Sequence, residues 1–159
     1  MKKLLAIVLM LAITCIAFSN IVEFFEGIPP VVRFVVGGAI AIYGLSWAYT
    51  WLFDPIVIVT DTEYGAFNFG PFITIDTYLW YDAPESSRNL VLNHEYVHYI
   101  QHALYGPIMS LTYPICYWYS TLKSGDQWSA NYWEQQAISL ATNDMPTWKP
   151  ALILELGGD

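Results

Sequence analysis

The chain has 159 residues, of which 55% are hydrophobic and 13% are charged, and its formal net charge is −8. This length allows one modest domain, and so high an apolar content points to a membrane protein rather than an ordinary soluble domain. The acidic balance, without a basic patch, argues against nucleic-acid binding. Cys15 and Cys116 have no paired or C-x-x-C spacing, which argues against a disulfide framework and a cysteine-ligated zinc.

Two apolar segments precede residue 54. Lys2 and Lys3, followed by the apolar residues 4–19, have the form of a signal peptide or a short transmembrane anchor. We favour the anchor because a clean small-residue cleavage site is missing. Residues 34–53 are uncharged and long enough to span a bilayer, with a buried helix of a soluble protein as the alternative. We therefore predict that residues 1–53 are a membrane anchor of two hydrophobic helices.

The composition changes at Asp54. Ile56–Val59 and Phe72–Ile75 are β-branched runs separated by glycines, which predicts short strands in a hairpin or a small sheet. Residues 54–159 hold three basic and twelve acidic residues, a net charge of −9. We predict that this part of the chain is one domain of the α+β class, mainly helical.

A helix is predicted over residues 82–106. Asp82 and Glu85 have the spacing of a capping box at its start, and apolar residues recur along it at helical intervals. Gly106 and Pro107 then supply a stop. The helix should therefore be about twenty residues long.

This helix contains the motif H-E-x-x-H at His94, Glu95 and His98. Residues four apart lie on one face of a helix, so the two imidazoles can point at one metal ion. The arrangement suits Zn²⁺, which keeps a coordination position open for water in catalytic sites. Glu95 is placed to take a proton from that water as a general base rather than to bind the metal.

A catalytic zinc site needs a third protein ligand. His102 continues the row of histidines, but it would lie about 12 Å along the helix axis from His94, too far for one ion. Glu134 is the better candidate, in a helix that we expect to start at Asp126 and to run to about Thr142. Its carboxylate lies on a small apolar face, which is costly to bury without a partner such as a metal. A solvated glutamate is the alternative.

Residues 107–121, between these two helices, are apolar and rich in aromatic side chains. The segment is short for a membrane span, and Pro114 is expected to break it. We predict a re-entrant or interfacial segment that interacts with the membrane. Packing against the motif helix is the alternative.

Together these residues resemble the zincin metallopeptidases of the gluzincin type, whose ligands are the two histidines of H-E-x-x-H and a downstream glutamate. The chain is also similar to small bacterial membrane-associated proteins with a pattern H-E-Y-G-H-x-x-Q, a glycine, a tyrosine-rich stretch with a proline, and W-E-x-x-A-D. The matching residues, all between 90 and 140, are His94, Glu95, Tyr96, His98, Gln101, Gly106, Pro114, Trp133, Glu134 and Ala137.

The resemblance implies a minimal zincin-like domain with Zn²⁺ as cofactor. His94, His98 and Glu134 would be its ligands, and Glu95 would be the catalytic base in the hydrolysis of peptide bonds by a zinc-activated water. Further candidates, for contacts to a ligand histidine or to the oxyanion, are Tyr96, Gln101 and His102.

Ile138 stands where the family pattern has an aspartate, which in gluzincins orients a metal-bound histidine. Such partners are worth about 10–100-fold in metal affinity or activity. A catalytically inactive zincin-fold membrane protein, acting as a binding or regulatory module, is therefore the alternative function. A structural membrane protein that carries the motif by chance is a third hypothesis.

The expected partners are a polypeptide substrate, with membrane-associated polypeptides among the candidates, and the lipid bilayer; nucleic acid is not expected. The expected location is the cell membrane, as a multi-pass protein of the bacterial inner membrane. Lys2 and Lys3 favour a cytoplasmic N-terminus, and two spans would return the catalytic domain to that side. The scarcity of lysine and arginine in that domain fits the external face better, but the rule counts mainly short flanking loops, so we favour the cytoplasm.

Overall fold

The computed structural model describes residues 29–63, 65–142, 145 and 148–156. The chain divides into two compact units, of which one ends at Leu52 and the other begins at Phe53. The first predicted hydrophobic helix, over residues 4–19, lies outside the described residues.

The N-terminal unit contains helix α1, Pro30–Leu52. A proline suits the first turn of a helix, because the amide that it lacks would have no partner inside the helix there. Within α1, the stretch Phe34–Leu52 is long and apolar enough to cross a membrane, and few of its residues are buried. Among the described residues it is the one candidate of this kind, and the prediction of a second span concerns residues outside them.

The second unit contains a four-stranded sheet with β1 at Ile56–Val59, β2 at Ala66–Phe69, β3 at Phe72–Ile75 and β4 at Leu152–Glu155. Their order is β2-β3-β1-β4. The two strands predicted from the sequence are confirmed, but they pair with each other in parallel, and β4 adds to β1 in parallel as well. The hairpin joins β2 to β3, where Gly70 supplies a positive φ of 59° at the turn.

Four helices accompany the sheet: α2 at Thr77–Tyr81, α3 at Glu85–Tyr105, α4 at Pro107–Ser124 and α5 at Tyr132–Leu140. The α+β, mainly helical class is thereby confirmed. Helix α3, which carries H-E-x-x-H, is central: the other three helices, β2 and β3 all contact it.

The predicted cap of α3 is wrong. Asp82 ends the short helix α2 instead, where its backbone N–H donates to the Tyr78 carbonyl at 2.9 Å. Helix α3 follows Pro84 without a side-chain cap. Its predicted end is right, because Gly106 adopts a φ of 44° and donates its N–H to the His102 carbonyl.

Residues 107–121 form part of the continuous helix α4 rather than a segment broken at Pro114. A proline inside a helix removes one hydrogen bond and crowds the carbonyl four residues earlier. The packing of α4 against α3 and α5 compensates for that loss, since Met109 and Ser120 are buried at positions three helical turns apart.

The core lies between the sheet and α3. Val57, Val59, Ile73 and Ile75 are almost fully buried, and Leu92 of α3 packs against them. Full burial of such side chains contributes about 1.5–3 kcal/mol each. A second cluster, with Val97 and Ala137 as members, joins α3 to α5. These two clusters fix α3 against both the sheet and the helix that carries Glu134.

Candidate metal centre

Helix α3 presents His94 and His98 on one face. Their Nε2 atoms lie 3.2 Å apart, and the rings meet edge to face with centroids 4.8 Å apart. His98 is buried, and the His94 side chain is 23% exposed. One imidazole is therefore enclosed, and the other lies at an opening.

Glu134 enters the same space from the first turn of α5. The Asn131 side chain caps this helix by accepting a hydrogen bond from the Trp133 N–H at 3.1 Å. The predicted cap, Asp126, instead accepts hydrogen bonds in its own turn before α5. The short helix ends at Leu140, before the predicted end at Thr142.

The carboxylate of Glu134 contacts both histidines. Its Oε2 lies 3.1 Å from Nε2 of His94, and its Oε1 lies 3.2 Å from Nε2 of His98. Tyr113 of α4 donates its hydroxyl proton to Oε1. Among the described residues, His94, His98 and Glu134 form the one group whose ligand atoms could hold a metal ion, all within 4.8 Å of one another.

Gln101 determines which nitrogen of His98 carries the proton. Its Nε2 donates to the Trp133 carbonyl at 3.1 Å, and it also lies 2.8 Å from Oε1 of Gln136. Since a backbone carbonyl can only accept, the amide oxygen of Gln101 must be the atom that faces Nδ1 of His98, at 2.7 Å. Nδ1 therefore donates, and the Nε2 lone pair of neutral His98 points at the cluster.

The electrostatics of the cluster favour an ionised carboxylate. Burial would raise the pKa of Glu134, but hydrogen bonds from His94 and His98 outweigh it, and the pKa lies well below its usual range. Burial would lower the pKa of His98, but the hydrogen bond and the charge of Glu134 raise it. Burial and the same carboxylate raise the pKa of Tyr113, so this hydroxyl stays a donor.

Glu95 lies beside the cluster and outside it. It is 6% exposed, and burial raises the pKa of its carboxyl against the opposing influence of His98 and His94. The backbone N–H of Asn68, in β2, donates a hydrogen bond to this carboxyl. Glu95 is thus held between α3 and the outer strand of the sheet.

A cavity of about 550 Å³ opens next to these residues. His94 and Glu95 lie in its wall, and most of the remaining wall is apolar. That apolar wall consists of Gly65, Ala66, Leu79, Leu90, Val91, Ile138 and Ala141. Ile138 thus lines the cavity together with His94.

The other residues predicted for the site have different surroundings. Tyr96 stacks on Trp148 with ring centroids 4.6 Å apart and packs against the core beside the sheet. His102 is buried, which lowers its pKa, and it is not a member of the metal-binding group. Gln101 contacts His98 directly.

Two contacts were not predicted from the sequence. The sequence places Tyr113 in an apolar, aromatic-rich segment that either lies at the membrane interface or packs against the motif helix, and neither alternative predicts a contact with Glu134. Asn68 lies in a strand with no β-branched residue, so the sequence predicts neither this strand nor its contact with Glu95.

No family model matches the chain, and neither the curated proteins nor the solved structures that were compared with it include a match.

Proposed function

We propose that this chain is a membrane-anchored zinc metallopeptidase in which His94, His98 and Glu134 hold Zn²⁺. Two ligand atoms bound tetrahedrally about 2.0–2.1 Å from one zinc ion lie about 3.3 Å apart. In the cluster the two Nε2 atoms lie 3.2 Å apart, and they lie 3.1 Å and 3.2 Å from different oxygens of Glu134, all close to this value. This match of spacing is the observation that carries the proposal.

The protonation of the cluster supports the same metal. When His98 is neutral, Gln101 leaves its Nε2 lone pair directed at Oε1 of Glu134, an atom that also carries electron pairs. Electron-pair donors that face one another in a buried site repel unless a proton or a cation lies between them. Two imidazole nitrogens and one carboxylate are a common ligand set of catalytic zinc.

Bound zinc supplies Lewis-acid chemistry, since it lowers the pKa of water and polarises a carbonyl oxygen. Glu95 is then the residue that accepts a proton and later delivers it to the leaving amine. Its raised pKa suits this exchange, because a base works best when its pKa is close to the working pH. The Asn68 N–H orients the carboxyl for it.

The outer strand of the sheet is suited to an extended polypeptide. Asp76 of the β3 side donates its N–H to the Gly65 carbonyl, and main-chain groups of alternate residues face the partner strand in such a pair. Those of Ala66 and Asn68 therefore point to the outer edge, where Asn68 meets Glu95. A substrate strand can add to such an edge by main-chain hydrogen bonds, with an apolar side chain in the cavity.

The first experiment compares zinc content and peptide hydrolysis for the detergent-solubilised parent chain and Glu95→Gln. We expect about one zinc per chain in both. Turnover should fall by about 10²–10⁴-fold in Glu95→Gln, the range typical of a lost general base. Glu85→Gln, at an exposed position in the first turn of the same helix, is the matched control and should keep full turnover. Normal cleavage by Glu95→Gln would overturn the mechanism.

A binding or regulatory module without catalysis is the second candidate function, and one asymmetry favours it. Gln101 holds Nδ1 of His98, whereas no described residue accepts a hydrogen bond from Nδ1 of His94. Ile138, which lines the same cavity as His94, stands where the family pattern has the orienting acid. On this hypothesis the chain binds zinc and peptides but does not cleave them.

The variant Ile138→Asp tests this second candidate. If the missing acid weakens the site, the aspartate should raise zinc affinity by about 10-fold or more. It should also increase cleavage, which can be measured with a chelator competition and a peptide assay on the same samples. Ile138→Leu is the control for the lost side chain. Unchanged affinity and cleavage in Ile138→Asp would show that the isoleucine does not limit the site.

A further inference from the structure

Helix α4 exposes a row of large apolar side chains. Successive members are three or four residues apart, so they form one face of the helix. The row, which we term the α4 stripe, consists of Ile108, Leu111, Ile115, Trp118 and Leu122. Their exposed fractions lie between 62% and 80%. Soluble domains rarely expose so continuous an apolar surface, and such surfaces mark sites of interaction.

The rest of the helix surface is different in character. Met109 and Ser120 are buried on the face that packs into the unit. The other exposed flank carries hydroxyl groups, at Ser110, Tyr117 and Thr121. Exposed apolar and exposed polar residues thus lie on separate sides of one helix, which is the pattern of a helix that lies in a membrane interface.

The position of this unit in the chain favours lipid as the partner. The candidate span Phe34–Leu52 ends one residue before the unit begins at Phe53. Tyr99 of α3 donates its hydroxyl proton to the Phe53 carbonyl, so a hydrogen bond joins the first residue of the unit to its central helix. If α1 crosses the bilayer, the unit is held at the membrane surface without an intervening linker.

We propose that the α4 stripe docks into the interfacial layer of the lipid bilayer. This inference rests on the membrane anchor of the proposed function and is independent of peptidase activity. Trp118 and Tyr119 are side chains that favour the membrane interface. The Lys123 ammonium lies 5.3 Å from the centre of the Tyr119 ring, at the same end of the helix. A lysine there can bury its aliphatic part and keep its charge among the headgroups.

The charge of the unit defines the kind of lipid contact. Residues 54–159 carry three basic and twelve acidic side chains, so anionic headgroups repel the unit overall. Docking therefore depends on burial of apolar side chains rather than on attraction between charges. It should occur on a zwitterionic phosphatidylcholine bilayer and should be insensitive to salt.

Docking by α4 also determines where the metal centre lies. The buried side of this helix reaches the site directly, because Tyr113 donates to Glu134 and Thr112 accepts a hydrogen bond from the Trp133 indole at 3.1 Å. A bilayer that holds α4 consequently holds the cluster within one helix diameter of the interface. The substrates that this favours are polypeptide segments that lie at the membrane surface.

The test uses the full chain in phosphatidylcholine nanodiscs, with its two cysteines replaced by alanine and one spin label added. Leu111→Cys places the label on the stripe, and Thr121→Cys places it on the hydroxyl flank of the same helix as the matched control. Collision rates are measured with oxygen, which is enriched in lipid, and with a nickel complex, which stays in water. We expect the oxygen-to-nickel ratio to be severalfold higher at 111 than at 121, at both low and high salt.

Two results would overturn the proposal. A label at 111 as accessible to nickel as the label at 121 would mean that the stripe faces water. Low access to both reagents at 111, with coupling between labels that grows with protein concentration, would mean that a second copy of the chain covers it. The same measurements on the His94→Ala background separate this inference from the metal centre, because docking should persist there although zinc binding is lost.

Discussion

At the scale of residues, Gln101 and His98 show how a buried amide can select a ligand atom. Gln101 is 3% exposed and lies between the His98 ring and the Trp133 carbonyl. One end of its amide donates and the other accepts, so the two neighbours can be satisfied in a single orientation. That orientation leaves Nε2 of His98 available to a metal ion. The amide thus does for His98 what a carboxylate often does for a metal-bound histidine.

This arrangement predicts the effect of Gln101→Leu. The variant loses the acceptor for Nδ1 of His98, and zinc affinity should fall by about 10–100-fold. It also removes the side-chain hydrogen bond to the Trp133 carbonyl, which should lower the free energy of unfolding by about 0.5–1.5 kcal/mol. Affinity is measured by competition with a chelator, and stability by denaturant unfolding. Gln136→Leu is the control, since it removes a partner of Gln101 but no contact of His98. Equal losses of affinity in both variants would contradict the positioning role.

The residues of the cluster were predictable because their signals are local or chemical. The spacing of His94 and His98 predicts a shared helical face, and Glu134 is an acid on an apolar face. The contacts of Tyr113 and Asn68 were not predictable, because they depend on how α4 and β2 pack around α3. A tyrosine in an apolar segment carries the same local pattern whether it faces lipid, core or a carboxylate.

At the scale of elements, the connection from α4 to α5 decides where α5, the helix that carries Glu134, begins. Gly125 ends α4 with a φ of 79°, which favours glycine. Asp126 then accepts hydrogen bonds from the Trp128 N–H and the Ser129 N–H, both at 2.7 Å. Asn131 starts α5 a few residues later. This connection thus contains two residues whose side chains can cap a helix. Asp126 closes a turn, and Asn131 caps α5.

The pH dependence of Asp126→Asn should reveal this turn. The Ser129 hydroxyl and the backbone N–H groups of Ser129 and Trp128 lower the pKa of Asp126 below its ordinary value. Its charge therefore stabilises the fold above the ordinary carboxyl pKa, and this contribution is lost as the pH falls through the lowered value. We expect a small decrease in the denaturation midpoint of Asp126→Asn at pH 7 that shrinks toward zero in acid. Ser129→Ala should reproduce part of it. A decrease that is equal at neutral and acid pH would contradict the assignment.

The elements themselves were predictable where a local pattern decides them. Helix α3 has apolar residues at helical spacing and a glycine at its end, and β1 and β3 have runs of β-branched residues. Strand β2, Ala66–Phe69, has no β-branched residue and β4, Leu152–Glu155, has one, so neither shows the β-branched run that predicts β1 and β3. The parallel pairing of β1 with β3 and β4 joins distant parts of the chain, which no local pattern can specify. Pro114 misled the prediction of α4 because tertiary packing outweighed one lost hydrogen bond.

At the scale of the whole second unit, the chain after α5 returns to α3 and to the sheet, and hydrogen bonds hold it there. After α5 the Thr142 carbonyl accepts a hydrogen bond from the Asn93 side chain at 2.8 Å. Trp148 then donates to the Asn93 Oδ1 at 3.3 Å, and Ala151 donates to the Pro55 carbonyl at 2.9 Å as the chain enters β4. A metal bound by His94, His98 and Glu134 would add a further link between α3 and α5, on the other side of the same central helix.

Such a link predicts that zinc stabilises the fold as well as supplying chemistry. A ligand that binds only the folded state, at a free concentration about 1,000 times its Kd, adds about 4 kcal/mol to the free energy of unfolding. We expect removal of zinc by a chelator to lower the midpoint of thermal unfolding, followed by circular dichroism in detergent, and added zinc to restore it. Glu134→Ala should lose this response, because its α5 no longer reaches the metal, whereas Glu95→Gln should keep it. A zinc response that persists in Glu134→Ala would mean that the metal binds elsewhere and does not join the two helices.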